Sequence, residues 1–189
     1  FYSAAPVCSP TRGSCLTGRH PYRYGITFAN VGHMKPQELT LAEILKSQGY
    51  TTGHFGKWHL GTLTTEMKDA NRGRPGDKTH FAPPRMHGFD VNFSTESKVP
   101  TWDPVIRPRG ERGGRWWGAI PQSDSLEQHT HYGTHYWSAG RLVTDNLRGD
   151  DSRVIMDRAI PFIENAAGDQ KPLFEVNWFH TQHLPVVAG

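Results

Sequence analysis

The chain has 189 residues, of which 35% are hydrophobic, with 20 Gly and 14 Pro. That is enough for one domain with a real core, and the Gly and Pro content points to long ordered loops and away from a helical bundle. The formal charge of +3 with 11 His is mildly basic, which suits an anionic ligand without requiring one. No apolar run approaches the length of a membrane-spanning helix, and nothing calls for a nucleic-acid partner.

Phe1 to Val7 is apolar, aromatic and small, and is expected to be a buried approach to the next segment. Cys8-Ser9-Pro10-Thr11-Arg12-Gly13-Ser14-Cys15-Leu16-Thr17-Gly18-Arg19 reads as a turn entering a short helix. Pro10 fits the first helical turn, and Gly18 is a natural C-terminal stop. Cys8 then stands at or just before a helix N-terminus, where free N–H groups and the helix dipole favour an anion or a nucleophile. Arg12, at i+4, lies on the cysteine's side. Cys8 and Cys15 end up about 10 Å apart along a helix, too far for a disulfide, so they say nothing about compartment. His20 to Gly25 is a turn-rich aromatic segment whose rings read as packing.

Thr40 and Glu43 form a capping box ahead of a helix whose Leu41, Ile44 and Leu45 make an apolar stripe, stopped by Gly49. Tyr50 to Gly56 reads as a buried strand, with Lys57 and His59 just past its C-terminal end. In open α/β sheets ligands bind at that edge, and the two side chains share a side if the chain stays extended, so they can converge on one anion. Thr62 to Lys78 is a polar loop, and Phe89, Val91 and Phe93 alternate as in a short strand.

Residues 98–136 read as a variable insertion. Arg107, Arg109, Arg112 and Arg115 with Trp116 and Trp117 fit two readings: a sugar and sulfate contact surface, or a solvated excursion. His129, His131 and His135 lack a carboxylate or cysteine at ligand spacing, which disfavours a metal site. Asp151 or Ser152 can cap a helix whose Val154, Ile155, Ala159, Phe162 and Ile163 form one face, with Pro161 predicting a kink or break and Gly168 the end. Pro172 to Phe179 reads as another buried strand, followed by His180-Thr181-Gln182-His183-Leu184-Pro185. Helix–strand alternation predicts an α/β fold with a mostly parallel sheet flanked by helices.

Cys8-Ser9-Pro10-Thr11-Arg12 matches the C-x-P-x-R motif of type I sulfatases, and Leu16-Thr17-Gly18-Arg19 continues it. Gly56-Lys57-Trp58-His59-Leu60-Gly61 resembles that family's second motif, and Gly88-Phe89-Asp90 a segment common in it. By these motifs the chain resembles the formylglycine-dependent sulfatases of the alkaline-phosphatase-like superfamily. The resemblance implies that Cys8 is oxidised to formylglycine by a maturing enzyme and that its hydrate attacks sulfur. It implies that Arg12 stabilises the hydrate, that Lys57 binds sulfate, that His59 orients the hydrate, and that His183 binds sulfate and protonates the leaving oxygen. Asp90 is read as structural, and His180 as a loop or structural residue.

Relatives of this kind are usually more than twice as long and hold a divalent metal, usually calcium, with carboxylates expected outside these 189 residues; within them, formylglycine at Cys8 would be its ligand. The chain therefore reads as a partial catalytic domain, inactive alone. The substrate expected is a sulfate ester, first of all of a glycan, with Lys57, His183, Arg107 and Trp116 as its contacts. The resemblance also implies a periplasmic or secreted protein. Two other readings compete: a phosphonate or phosphate ester hydrolase on the same fold, and a non-catalytic remnant that binds sulfated glycan.

Overall fold

The computed structural model describes residues 2–108, 130–181 and 183–187. Its elements are α1 (Cys8–Thr17), α2 (Pro21–Tyr24), α3 (Leu41–Ser47), β1 (Thr51–Lys57), a 3₁₀ turn at Pro84–His87, β2 (Val91–Thr95), β3 (Tyr136–Ser138), β4 (Arg141–Leu142), α4 (Asp151–Gly168) and β5 (Leu173–Trp178). The strands form a sheet in the order β4-β3-β2-β1-β5. β1 pairs in parallel with β2 on one side and β5 on the other, as the helix–strand alternation predicts. Parallel neighbours need long crossovers, supplied by residues 58–90 and by α4. The other half of the sheet is antiparallel: β3 pairs with β2, and Ala139 and Gly140, both at left-handed φ, close a tight β3–β4 hairpin.

Side chains alternate across this sheet with period two. Phe55, Phe93 and Tyr136 face α4 and pack with Val154, Ile155, Ala159 and Phe162. Trp137 and Val176 face the other way and join Leu16, Tyr24, Ala42, Trp58 and Phe89 under α1, α2 and α3. His54 shares that second layer, its ring edge-on to Trp58, Phe89 and Trp178. The sheet thus lies between α4 and the three N-terminal helices.

The helix ends explain their own positions. Gly18 takes φ 66° and its N–H bonds Ser14 O at 2.8 Å, ending α1 where expected. The capping box of Thr40 and Glu43 is present at α3. The stripe expected on α3 is not buried, however: Leu41 and Ile44 are exposed, and Ala42 faces the core. Thr40 Oγ1 donates to His87 O at 2.9 Å, and Gly88 packs directly on the Ala42–Glu43 backbone. So close a contact admits only a small side chain, which turns Ala42 inward.

At α4 the cap is Asp150, which accepts from Arg153 N at 3.1 Å, rather than Asp151 or Ser152. Pro161 neither breaks nor ends the helix; it lies on the exposed side with Ile163, where water can satisfy the freed carbonyl. β5 is half-buried instead of buried because it is the edge strand among the described residues. Residues 2–7 are bends on the surface, with Tyr2 fully exposed, and no described strand pairs with them. Within 98–136, Val99, Val105, Ile106 and Tyr136 join the α4-side core, and residues 109–129 lie outside the described residues.

Gly56 stands in β1 at φ 98°, and a Cβ there would lie 2.2 Å from Trp178 O. Gly56→Ala therefore meets both a disfavoured backbone and the β5 main chain. It is expected to cost about 3 kcal/mol or more, read as a lower denaturation midpoint. A midpoint matching the wild type would show that β5 can move aside freely.

Candidate active site

Two elements deliver the site. α1 begins at Cys8, and its N-cap, Val7, has no side-chain acceptor for the first-turn N–H groups. β1 ends at Lys57, and Trp58 is pinned by its own N–H to Thr95 O at 2.9 Å and by Nε1 to Ala82 O at 2.7 Å. The chain then turns, with His59 at φ 53°. Lys57 and His59 converge as expected, but through this strained left-handed residue and not through an extended strand. His59 Nδ1 stands 3.0 Å from Cys8 Sγ. The Lys57 ammonium lies within electrostatic reach of Cys8. Arg12 Nη1 donates to Lys57 O at 2.8 Å, and its guanidinium lies 4.7 Å over the Trp178 ring. Cys8 also opens on a cavity of about 460 Å³ shared with Thr11, Arg12 and Trp178.

Burial sets the charges. It lowers Arg12 to about 10, which leaves the guanidinium charged at neutral pH. Lys57 is brought down to about 8 by burial, with Arg12 adding to the effect and Cys8 opposing it. His59 falls to about 2 through burial and the cations Lys57, Arg72 and Arg12, so it is neutral. A neutral imidazole has one N–H. His59 Nε2 lies 2.9 Å from Asn30 Oδ1, an acceptor that also takes a bond from Asn71 Nδ2 at 3.1 Å. The proton therefore sits on Nε2, and the bare Nδ1 lone pair faces Cys8.

His183 lies within electrostatic reach of Lys57 and His59. Burial, followed by Lys57, lowers it to about 4, and its Nδ1 donates to Leu184 O at 2.7 Å, leaving Nε2 as the free ring nitrogen. Its loop is anchored by His180, which is fully buried with Nδ1 2.8 Å from Asp151 Oδ2 and Nε2 3.0 Å from Thr95 Oγ1. Tyr136 donates to the other Asp151 oxygen. This network ties the ends of β2 and β5 to the start of α4 and gives His180 a structural place. Asp90 is structural as well, accepting from Thr52 N at 3.1 Å and pairing with Lys46.

The structure thus gathers Cys8, Arg12, Lys57 and His59, with His183 nearby. Arg107 is exposed on the wall of a separate polar cavity, and Trp116 and His129 lie outside the described residues. His131 and His135 stack at 4.0 Å, and His135 Nδ1 bonds Asp69 at 2.9 Å, yet no group of three metal-ligating side chains exists among the described residues. A calcium ion needs several oxygen ligands. The side chains around Cys8 are cationic or imidazole, so the described residues do not by themselves fit that ion. Sequence reasoning missed Asn30, Asn71 and Ser97, which have no motif; the one local signal is that an Asn tolerates the left-handed φ of 63° found at residue 30.

Known proteins share this arrangement's sequence and fold. Mouse arylsulfatase G is 52% identical over 98% of this chain and 34% of its own length. Dog arylsulfatase G is 30% identical over 98% of this chain and 33% of its own. Rat steryl-sulfatase is 41% identical over 64% of this chain. The chain thus spans about a third, or less, of these curated relatives. Among solved structures, the crystal structure of Ps i-CgsB superposes with a TM-score of 0.68 at 21% identity, covering 97% of this chain and 36% of that one. The structure of BT4656 with D-glucosamine-2-N,6-O-disulfate does so at 0.59 and 20%, covering 97% and 26%. The sulfatase family model matches residues 1–188, from the approach to Cys8 through the loop of His183, and the chain belongs to the sulfatase family.

Proposed function

We propose that this chain is the nucleophile-bearing part of a hydrolase that releases inorganic sulfate from sulfate esters of a glycan. The observation that carries the reading is the cluster at Cys8: a residue at a helix N-terminus that bonds a neutral imidazole acceptor, with the buried Lys57 and the half-buried Arg12 beside it. In this reading a maturing enzyme converts Cys8 to formylglycine, whose hydrate supplies two geminal hydroxyls, one to attack sulfur and one to expel sulfate afterwards. The site fits that group. His59 Nδ1 offers a lone pair where a hydroxyl proton would point, and Lys57 and Arg12 offer positive charge where the oxygens would lie.

The roles of the side chains follow. Lys57 binds the sulfuryl oxygens, and Arg12 neutralises the charge that builds on them. His59 takes a proton from the hydrate at Nδ1, its tautomer held by Asn30. His183 is neutral in the free protein, chiefly because it is buried, and an anion beside Lys57 cancels the further repulsion from that lysine. With its proton on Nε2, His183 then donates to the ester oxygen as the S–O bond breaks. Among the described residues, residue 8 would be the one to hold calcium, which would supply a Lewis acid there.

The test compares aryl sulfate with aryl phosphate and phosphonate esters, using the full-length protein matured with a formylglycine-generating enzyme. A higher kcat/KM on the sulfate ester is expected. A higher value on a phosphorus ester would replace this reading with the hydrolase alternative, and turnover of neither would leave a binding remnant.

A further inference from the structure

We propose that Lys68, Lys98 and Arg107 form a second anion subsite next to the nucleophile, which holds an additional negative group, a carboxylate or a further sulfate, of an acidic glycan. The proposal rests on the glycan sulfatase reading above and narrows its substrate class to a saccharide with at least two charges.

These three cations line one polar cavity of about 480 Å³, together with Asn71 and Ser97, a size that takes a saccharide unit. Among the described residues no carboxylate lines it. Among the described residues no Asp or Glu pairs with Lys68, Lys98 or Arg107, whereas Arg19, Arg72, Arg148, Arg153 and Arg158 all have acidic partners. Gathering like charges around one cavity without a counter-ion is unfavourable, and an anion relieves it.

The cavity is also wired to the chemistry. Cys8 contacts His59 at 3.0 Å, His59 contacts Asn30 at 2.9 Å, and Asn71 donates to Asn30 at 3.1 Å. Asn71 donates in turn to Ser97 Oγ at 3.1 Å, which leaves the Ser97 hydroxyl proton to point at a ligand. The residue that orients the catalytic imidazole is therefore bonded to the wall of the subsite. Lys98, on the cavity wall, adds to the positive potential at both Lys57 and His183, so it lies within electrostatic reach of the sulfate position. A sulfate at Lys57 and a second anion at Lys68 and Arg107 would share it.

The experiment uses the full-length matured protein and three probes: a neutral sugar monosulfate, the same sugar with a second sulfate, and a monosulfated disaccharide carrying a uronate. Wild type is expected to prefer one or both dianionic probes by roughly tenfold or more in kcat/KM, and 0.5 M salt, about five times the ionic strength of an ordinary buffer, should shrink the preference. Whichever probe gains identifies the second group as sulfate or carboxylate. The double variant Lys68→Gln/Arg107→Gln, at two exposed positions, should lower the dianion-to-monoanion ratio by about tenfold. Equal rates on all three probes in the wild type, or a ratio unmoved by the variant, would overturn the subsite. If no probe is turned over, the hydrolytic reading fails instead. Calorimetric binding of the same probes then decides the subsite: tighter binding of a dianionic probe supports it, and equal binding overturns it.

Discussion

Cys8→Ala is expected to lower kcat on a sulfate ester by about 10⁴-fold or more in the full-length matured protein, with the fold intact. The two effects separate because the residue does little for stability. Cys8 is only partly buried, and the side chain gives up one hydrogen bond, to His59 Nδ1, costing roughly 1 kcal/mol. Everything else about the site survives: Arg12 still bonds Lys57 O and stacks on Trp178, and His59 still bonds Asn30. What disappears is the atom that attacks sulfur. Mass spectrometry of the wild type should find the aldehyde at Cys8 and an unmodified thiol at Cys15, the chain's other free cysteine. A variant retaining more than a tenth of wild-type kcat would place the nucleophile elsewhere. A wild type with an intact thiol at both cysteines would remove the formylglycine route.

The residues that could be read from sequence are those whose role depends on local geometry. A helix start needs only Pro10 and Gly18 at the right spacing, and a strand end needs only an apolar run followed by Lys57, so α1 with Cys8 and Arg12, and β1 with Lys57 and His59, were legible from spacing, while the meeting of the two was implied only by the resemblance to the sulfatase motifs. Asn30 was not, because its role comes from a contact across 29 positions with His59, made in a loop without periodicity. The same holds for Lys98 and Arg107, which meet Lys68 only in the folded chain. Errors about burial have a common cause. Apolar character puts Leu41 and Ile44 in a core when the helix is taken alone, but the approach of Gly88 decides which face turns inward. β5 has a buried strand's composition, yet its edge position leaves it half-covered. Pro161 breaks a helix where its neighbours are tightly packed, and here it faces solvent.

Lys57 gives the second large effect and ties it to pH. The ammonium is almost wholly buried, and desolvation brings it down to about 8 from its ordinary value of 10.5. It is charged at neutral pH and loses its proton as pH rises through about 8, and with the charge goes its hold on sulfate. The kcat/KM of the wild type should therefore fall on the alkaline side, with its midpoint at about 8. Unfolding cannot mimic this limb. The folded lysine has the lower affinity for protons, so between about 8 and 10.5 the unfolded chain binds more of them, and this group's contribution to stability rises with pH. Activity and this group's contribution to stability thus move in opposite directions through the same window. Lys57→Gln should cost roughly 10²–10³-fold in kcat/KM at neutral pH and should flatten the alkaline limb, whereas loss of a merely structural lysine would lower activity evenly across pH. A variant that keeps the limb would assign it to another group and take sulfate binding away from Lys57.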